Sequence, residues 1–274
     1  MRKIALLIVS VIMVLIVIAC GNVAKEQKAS PSSRLSVEDS QEKTDLEKLK
    51  EKGQFVIGTT GAYPPFAYHT DKGNRELTGF DVELLNEVIG KIGLKVSYME
   101  TEWEGMLAGL GGGRFDSIHQ VTVQDRQEKY DFSDPYLTSY TTLIVLDETA
   151  DIKSFDDLKG KKVYGSNSST YGKLAKSKGA ELVPEGEFVE LLNTKRVDAL
   201  IFNNLYYLNL KKSRPDLKIK AVDQLKEKEE IALPFVKGND GTVIAAINQA
   251  LREIKKDGTY ARLTEKWFGQ DLTQ

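Results

Sequence analysis

The chain predicts an α/β fold arranged as two lobes. From about Leu46 to Phe268, short runs rich in β-branched residues alternate with amphipathic helical segments, the pattern of a mostly parallel sheet with crossover helices. Two such series of similar content follow one another, each roughly a hundred residues long, which favours two lobes over one. The strand exits "TTGAYPPF", "QVTVQDR", "YGSNSST" and "LIFNN" are rich in groups that hydrogen-bond or stack. Ligands in open α/β sheets bind beyond the carboxyl ends of strands, so these exits mark the expected site.

The N-terminus comes first. Arg2 and Lys3 precede an apolar run from Ile4 to Ala19, which predicts a secretory signal peptide over residues 1–19. The same run is long enough to stay as a membrane-anchoring helix. Against that stands Cys20, the single cysteine of the 274 residues, at the end of "VIAC". A lone cysteine excludes a disulfide framework. Its position resembles the bacterial lipobox, in which the thiol is lipidated and becomes the mature N-terminus. Residues 20–44 are then the lipidated terminus and a stalk. The stretch Val23 to Lys43 is charged, Ser-rich and almost free of large apolar side chains, and it cannot bury enough surface to offset its ordering entropy. Loss of Arg2 and Lys3 with the signal takes the formal charge from −2 to −4, with lysines and acids interspersed, which excludes a nucleic-acid partner.

The elements follow in order. "QFVIGTT" is a first strand leaving into a proline-rich loop. In "GFDVELLNEVIGKIG", Leu84, Leu85, Val88, Ile89 and Ile92 recur at helical spacing, Gly93 is the stop and Asp81 the expected N-cap. "LKVSYME" is a strand, "EGMLAGL" a helix broken by Gly111 to Gly113, and "FDSIHQVTV" a strand again. The second series runs from "KKVYG" through "STYGKLAKSKG", "EFVELLNTK", "VDALIF" and "NNLYYLNLKK" to "LKIKAV". The helix "TVIAAINQALREIKKDG" places Val243, Ile244, Ile247, Leu251 and Ile254 on one face, and "TYARLTEKWFG" closes the fold.

In this order, "GTTGAYPPFAY", "LTGFDVELLNEVIGKIGLKV", "TEWEGMLAGLGGGRFDSI", "DRQEKYDFSDPY", "SFDDLKGKKV", "RVDAL" and "IKKDGTYARLTEKWFG" resemble the bacterial family 3 extracellular solute-binding proteins. These are the receptors of amino-acid ABC importers; "TEWEGMLAGL" and "DRQEKYDFSD" are most similar to the cystine-binding branch. The resemblance implies a type II periplasmic-binding-protein fold. Lobe 1 would comprise residues 45–143 plus 235–270, lobe 2 residues 144–234, with crossing segments near "TTLIVL" and "IALPF" as the hinge. It also implies a monomer, tethered outside the cytoplasm through Cys20, that carries a polar amino acid to membrane permease subunits without a cofactor or metal.

An amino acid is a zwitterion, so its receptor needs a carboxylate clamp, an ammonium acceptor and walls for the side chain. Arg126 matches the family's carboxylate-binding arginine, whose planar fork grips a carboxylate bidentately. The competing assignment is a surface ion pair with Glu128 or Asp131. Thr122 matches the residue that offers an amide and a hydroxyl to the same group, and Ser169 the residue that reaches it from a helix N-terminus, either as ligand contact or as N-cap alone. Tyr63 and Phe80 match the aromatic walls; Phe80 is alternatively a core residue at a helix start. Trp103 is either pocket rim or packing. The chain departs from the family at Asn203, which stands five residues after Asp198, where an ammonium-binding aspartate is usual. An amide supplies no charge there, so another acid, such as Glu102, moves in, or the ligand is not an ordinary α-amino acid. His119 is either a polar pocket residue or a strand residue without a role.

Three competing functions remain in view. An exported enzyme on the same fold, of cyclohexadienyl dehydratase type, needs a positioned acid or base, and the pocket strands offer only His119 and no clear carboxylate pair. A binding protein for a non-amino-acid carboxylate would account for Asn203. A sensory module would carry a membrane helix and signalling domain after the binding unit, where this sequence ends in "WFGQDLTQ". The overall expectation is a binding protein, not an enzyme.

Overall fold

The computed structural model describes residues 42–70, 76–124 and 126–273. The signal, Cys20 and most of the stalk lie outside the described residues. In chain order the elements are α1 (Asp45–Lys52), β1 (Gln54–Thr59), β2 (Ala62–Tyr63), β3 (Ala67–Tyr68), α2 (Phe80–Lys91), β4 (Lys95–Glu100) and α3 (Trp103–Gly111). Then come β5 (Ser117–Ile118), β6 (Val121–Thr122), β7 (Tyr130–Phe132) and β8 (Leu137–Leu146). After one turn of 3-10 helix, β9 (Lys162–Tyr164), α4 (Thr170–Ser177), β10 (Glu181–Val183), α5 (Phe188–Asn193), β11 (Leu200–Asn203) and α6 (Asn204–Ser213) follow. The chain ends with β12 (Ile219–Ala232), β13 (Pro234–Val236), α7 (Thr242–Lys256) and α8 (Thr259–Phe268).

The sheet is mixed, not mostly parallel as the alternation of elements suggested. β4-β1-β5 and β9-β10 are parallel, with Ile57 opposite Tyr98 and Val163 opposite Leu182. The four-stranded sheet β11-β8-β12-β6 is antiparallel throughout. β8 and β12 are the long strands on which the chain passes out to β9, β10 and β11 and returns. A segment that leaves and one that comes back must run in opposite senses, which is why they pair antiparallel.

Each helix lays its apolar stripe on these sheets. α2 buries Leu84, Leu85, Val88 and Ile89, and α7 buries Val243, Ile247, Leu251 and Ile254. Their side chains join Phe55, Ile57 and Phe235 in the largest core cluster. A second cluster holds Leu143, Val145, Phe155, Val163 and Ile201. α1 is fixed by a reciprocal cap in which the Thr44 hydroxyl accepts from the Glu47 amide and the Glu47 carboxylate accepts from the Thr44 amide.

Asp81 is not the N-cap of α2; Gly79 is. The first-turn amides of Phe80 and Asp81 donate instead to the carbonyls of Pro65 and Phe66. The chain approaches so closely there that a Cβ on Gly79, at φ +134°, would meet the Phe66 oxygen at 2.2 Å. The Asp81 carboxylate is thereby released for other partners. The expected strand "FDSIHQVTV" is also two short strands, β5 and β6, broken where Gln120 adopts φ +58°.

Candidate functional site

A cavity of about 820 Å³ opens where the ends of β1, β6, β9 and β11 meet the N-termini of α3 and α4. Of the residues singled out in the sequence, Tyr63, Glu102, Trp103, Thr122, Arg126, Ser169 and His119 line it.

Arg126 sits in the turn after β6 and is 5% exposed. It is therefore not a surface side chain, and Asp131 accepts from Lys237 and Asn239. Nη1 donates to the Thr170 hydroxyl at 3.1 Å and Nη2 to the Ser168 carbonyl at 2.8 Å, so the fork addresses the start of α4. The guanidinium carbon lies 5.4 Å from the Trp103 ring centre, a cation–π distance. The Trp103 indole N–H is buried without a hydrogen-bond partner among the described residues. Thr122, 8% exposed, is held opposite Ile231 by the pairing of β6 with β12.

Ser169 caps α4: its hydroxyl accepts from the Gly172 amide and donates to the Ser166 carbonyl, both at 3.0 Å. A Cβ at Gly172 would fall 1.9 Å from that carbonyl oxygen, so the glycine lets the loop fold onto the helix. The facing carboxylate of Glu104 on α3 accepts from the Ser168 hydroxyl at 2.9 Å. Burial works to raise the Glu104 carboxyl, but the Ser166 and Ser168 hydroxyls together outweigh it and hold it below its ordinary value.

The structure does not bring Phe80 or Asn203 to the cavity wall. Phe80 is fully buried, 4.9 Å from Phe268 and edge-on to Tyr260 at 6.3 Å; it is the core residue at a helix start. Asn203 is also fully buried. Its Oδ1 caps α6 by accepting from the Tyr206 amide at 2.8 Å, and its Nδ2 donates to the Tyr63 hydroxyl at 3.2 Å. Both ends of the amide are engaged, which is why it stays out of the cavity.

His119 is 2% exposed and bridges Asp81 Oδ2 at 2.6 Å to Thr59 Oγ1 at 2.8 Å. Asp81 also accepts from Gln120 Nε2 and the Tyr136 hydroxyl. This chain ties the end of β1 and the first turn of α2 to the loop between β5 and β6.

Sequence reasoning missed much of the wall. Tyr164, Tyr171, Phe188 and Phe202 line the cavity, with Phe202 packed 4.9 Å from Phe188 and 5.7 Å from Tyr63. Glu104, Glu185 and Glu187 join Glu102, which the sequence had offered, at its mouth, where no clear carboxylate pair was expected, and all four are exposed. Burial first, then the Glu102, Glu187 and Glu104 charges, raise the Tyr164 phenol, which places those carboxylates around one hydroxyl. The signal was present, since these aromatics and acids stand at the strand exits, but no spacing rule separates them from surface residues. No cluster of metal-ligating side chains occurs among the described residues.

An α/β chain on two long crossing strands, with a buried guanidinium in an aromatic-walled cavity, has the architecture of a solute-binding protein. The chain belongs to the bacterial extracellular solute-binding proteins, family 3, whose pattern it matches over residues 55–270. It is 40% identical over 230 residues to the L-cystine-binding protein TcyA of Bacillus subtilis (strain 168), covering 82% of this chain and 85% of that protein. It is 39% identical to the L-cystine solute receptor of Neisseria gonorrhoeae in its unliganded open conformation, covering 84% and 98%, with a TM-score of 0.55. Against an ancestral arginine-binding protein bound to arginine the identity is 34%, the coverage 79% and 99%, and the TM-score 0.70. The family is extracellular, and no helix among the described residues is long and apolar enough to cross a membrane.

Proposed function

We propose that this chain is the substrate-binding lipoprotein of an ABC importer, and that it captures L-cystine or a related polar amino acid between two lobes. Residues 45–143 plus 235–270 form one lobe and 144–234 the other, hinged on β8 and β12. The observation that carries the reading is Arg126: a buried guanidinium, backed by Trp103, on the wall of a cavity of about 820 Å³. A desolvated arginine fork is suited to a carboxylate. The volume lies toward the upper end of the range for small-molecule sites, roughly 300–1,000 Å³, which suits a double-headed amino acid. Thr122 and Ser169 flank the carboxylate, Tyr63 and Trp103 enclose the ligand, and the cystine-binding relatives supply the side-chain class. Cys20 is lipidated and tethers the stalk to the membrane, where the protein delivers its ligand to permease subunits as a monomer.

The test is a calorimetric and thermal-shift panel of L-cystine, L-cysteine, L-arginine and L-glutamine, because a ligand that binds only the folded protein raises its melting point. The expected outcome is L-cystine binding tightest; no response to any amino acid would overturn the reading. Cys20→Ala protein is expected in the soluble fraction after detergent-free washing, and its full retention on membranes would refute the anchor.

A further inference from the structure

The fully engaged amide of Asn203 leaves open which side chain accepts a hydrogen bond from the ammonium of an amino-acid ligand. The acids Glu102, Glu104, Glu185 and Glu187 stand exposed at the mouth. On the wall, His119 offers no acceptor, because Asp81 and Thr59 occupy both of its ring nitrogens. Beside it stands Gln120, which lines the cavity and is half-buried.

Gln120 immediately precedes β6 and holds φ +58°, a left-handed conformation that a residue with a side chain keeps only where its surroundings dictate it. Here its backbone N–H donates to the Tyr136 hydroxyl at 3.1 Å, and its Nε2 donates to both oxygens of Asp81, at 2.9 and 3.2 Å. Both anchors are themselves buried. A carboxylate only accepts, which puts Nε2 on the Asp81 side of the amide and Oε1 on the other. Oε1 accepts no hydrogen bond among the described residues. Nor is it sealed: the polar side-chain atoms buried there without a partner are Trp103 Nε1, the Tyr206 hydroxyl and Trp267 Nε1. An acceptor neither satisfied nor sealed, on a residue of the cavity wall, is open to the cavity. We infer that Gln120 is a ligand-contact residue, its Oε1 accepting from the ligand's ammonium N–H, and that Asp81 is the positioning residue that fixes the amide. The carboxylate that accepts from Nε2 also polarises the amide, which strengthens Oε1 as an acceptor. Thr122, read above as a carboxylate contact, stands two residues further on and lines the same cavity. One short stretch thus addresses the two neighbouring groups of one ligand. A wall built to accept from an N–H group discriminates against the analogue that lacks it.

This inference rests on the amino-acid reading above, and the experiment separates the two. Calorimetry is run on wild type, Gln120→Met and Gln120→Gly with L-cystine and, by displacement, with dithiodipropionate, which is cystine without its amino groups. Methionine keeps the length of the side chain without the acceptor, and glycine suits φ +58°. Each variant is expected to weaken L-cystine on the order of 10- to 100-fold, the loss of one hydrogen bond to a charged group. Dithiodipropionate should bind wild type and variants within a few-fold of one another, a difference between ligands that a general loss of fit would not produce. Asp81→Asn, whose carbonyl can still accept from Nε2, should keep most of the preference for L-cystine, and Asp81→Ala should lose it. Thermal unfolding checks every variant; where Gln120→Met does not fold, Gln120→Gly carries the test. If another amino acid binds more tightly, it and its des-amino acid replace this pair of ligands. Equal losses for both ligands, or undiminished L-cystine binding in a folded Gln120 variant, would overturn the inference while leaving the amino-acid reading intact. A wild type that binds no amino acid would overturn both.

Discussion

Arg126 and Phe80 respond to truncation in opposite ways. Removing one side of a desolvated charged pair costs about 2–5 kcal/mol, roughly thirtyfold to several-thousandfold in affinity. Arg126→Ala is therefore expected to bind L-cystine that much more weakly in calorimetry, and Arg126→Lys to recover little, since a point charge cannot replace the fork. Phe80 lies fully buried against Phe268 and Tyr260. Phe80→Ala is expected to lose about 3–5 kcal/mol of stability in denaturant unfolding, with cystine affinity within a few-fold of wild type wherever the variant is folded. A large affinity loss in a folded Phe80→Ala would return that ring to the binding wall. The sequence distinguished these residues only in part, for physical reasons. A guanidinium is expensive to bury without a use, so a motif containing Arg126 carries meaning. Whether an aromatic beside a helix start turns inward or toward a cavity depends on a partner, here Phe268, that is 188 positions away. Asn203 misled for a related reason: its side chain is needed by the amide of Tyr206 and the hydroxyl of Tyr63, a demand that appears only once α6 and β2 are placed.

Among the elements, α3 and the loop entering α4 form a contact across the cavity, Glu104 with the Ser168 hydroxyl. The Glu104 carboxyl is held below its ordinary value in this arrangement. A carboxylate with a depressed value stabilises the arrangement while ionised, so the contribution is complete above its ordinary value and is lost as pH falls through the depressed one. Cystine affinity is expected to fall as pH drops below the usual carboxylate range. Glu104→Gln should show a shallower fall over the same range, with the ligand's own carboxylates titrating in both proteins; identical pH profiles would exclude the contact from binding. Elements with strong periodicity were legible in outline, α7 and α2 above all, because a 3.6-residue stripe needs only local information. The break between β5 and β6 was not. It is imposed by Asp81, which draws His119 and Gln120 toward α2 and leaves Gln120 at positive φ. Nor was the antiparallel pairing of β8 with β12, which depends on the route of the chain.

Over the whole molecule, groups from the two proposed lobes touch at several points. Arg126 reaches Ser168 and Thr170, Tyr63 accepts from Asn203, and the Tyr63 ring stacks on Tyr206 with centroids 5.5 Å apart. Two series of elements in the sequence favour two lobes, but local periodicity carries nothing about the angle between them. A ligand that contacts both lobes binds the closed form better, and it shifts the equilibrium only by that difference in affinity. Saturating L-cystine is therefore expected to reduce the radius of gyration in small-angle scattering. Arg126→Ala, which loses both the carboxylate clamp and the bonds to Ser168 and Thr170, should compact less at equal occupancy. Dimensions unchanged by ligand in the wild type would mean that the protein is already closed or that one lobe binds alone. Scattering from wild type and Arg126→Ala without ligand separates these, since a pre-closed protein should expand when the arginine is removed and a one-lobe binder should not.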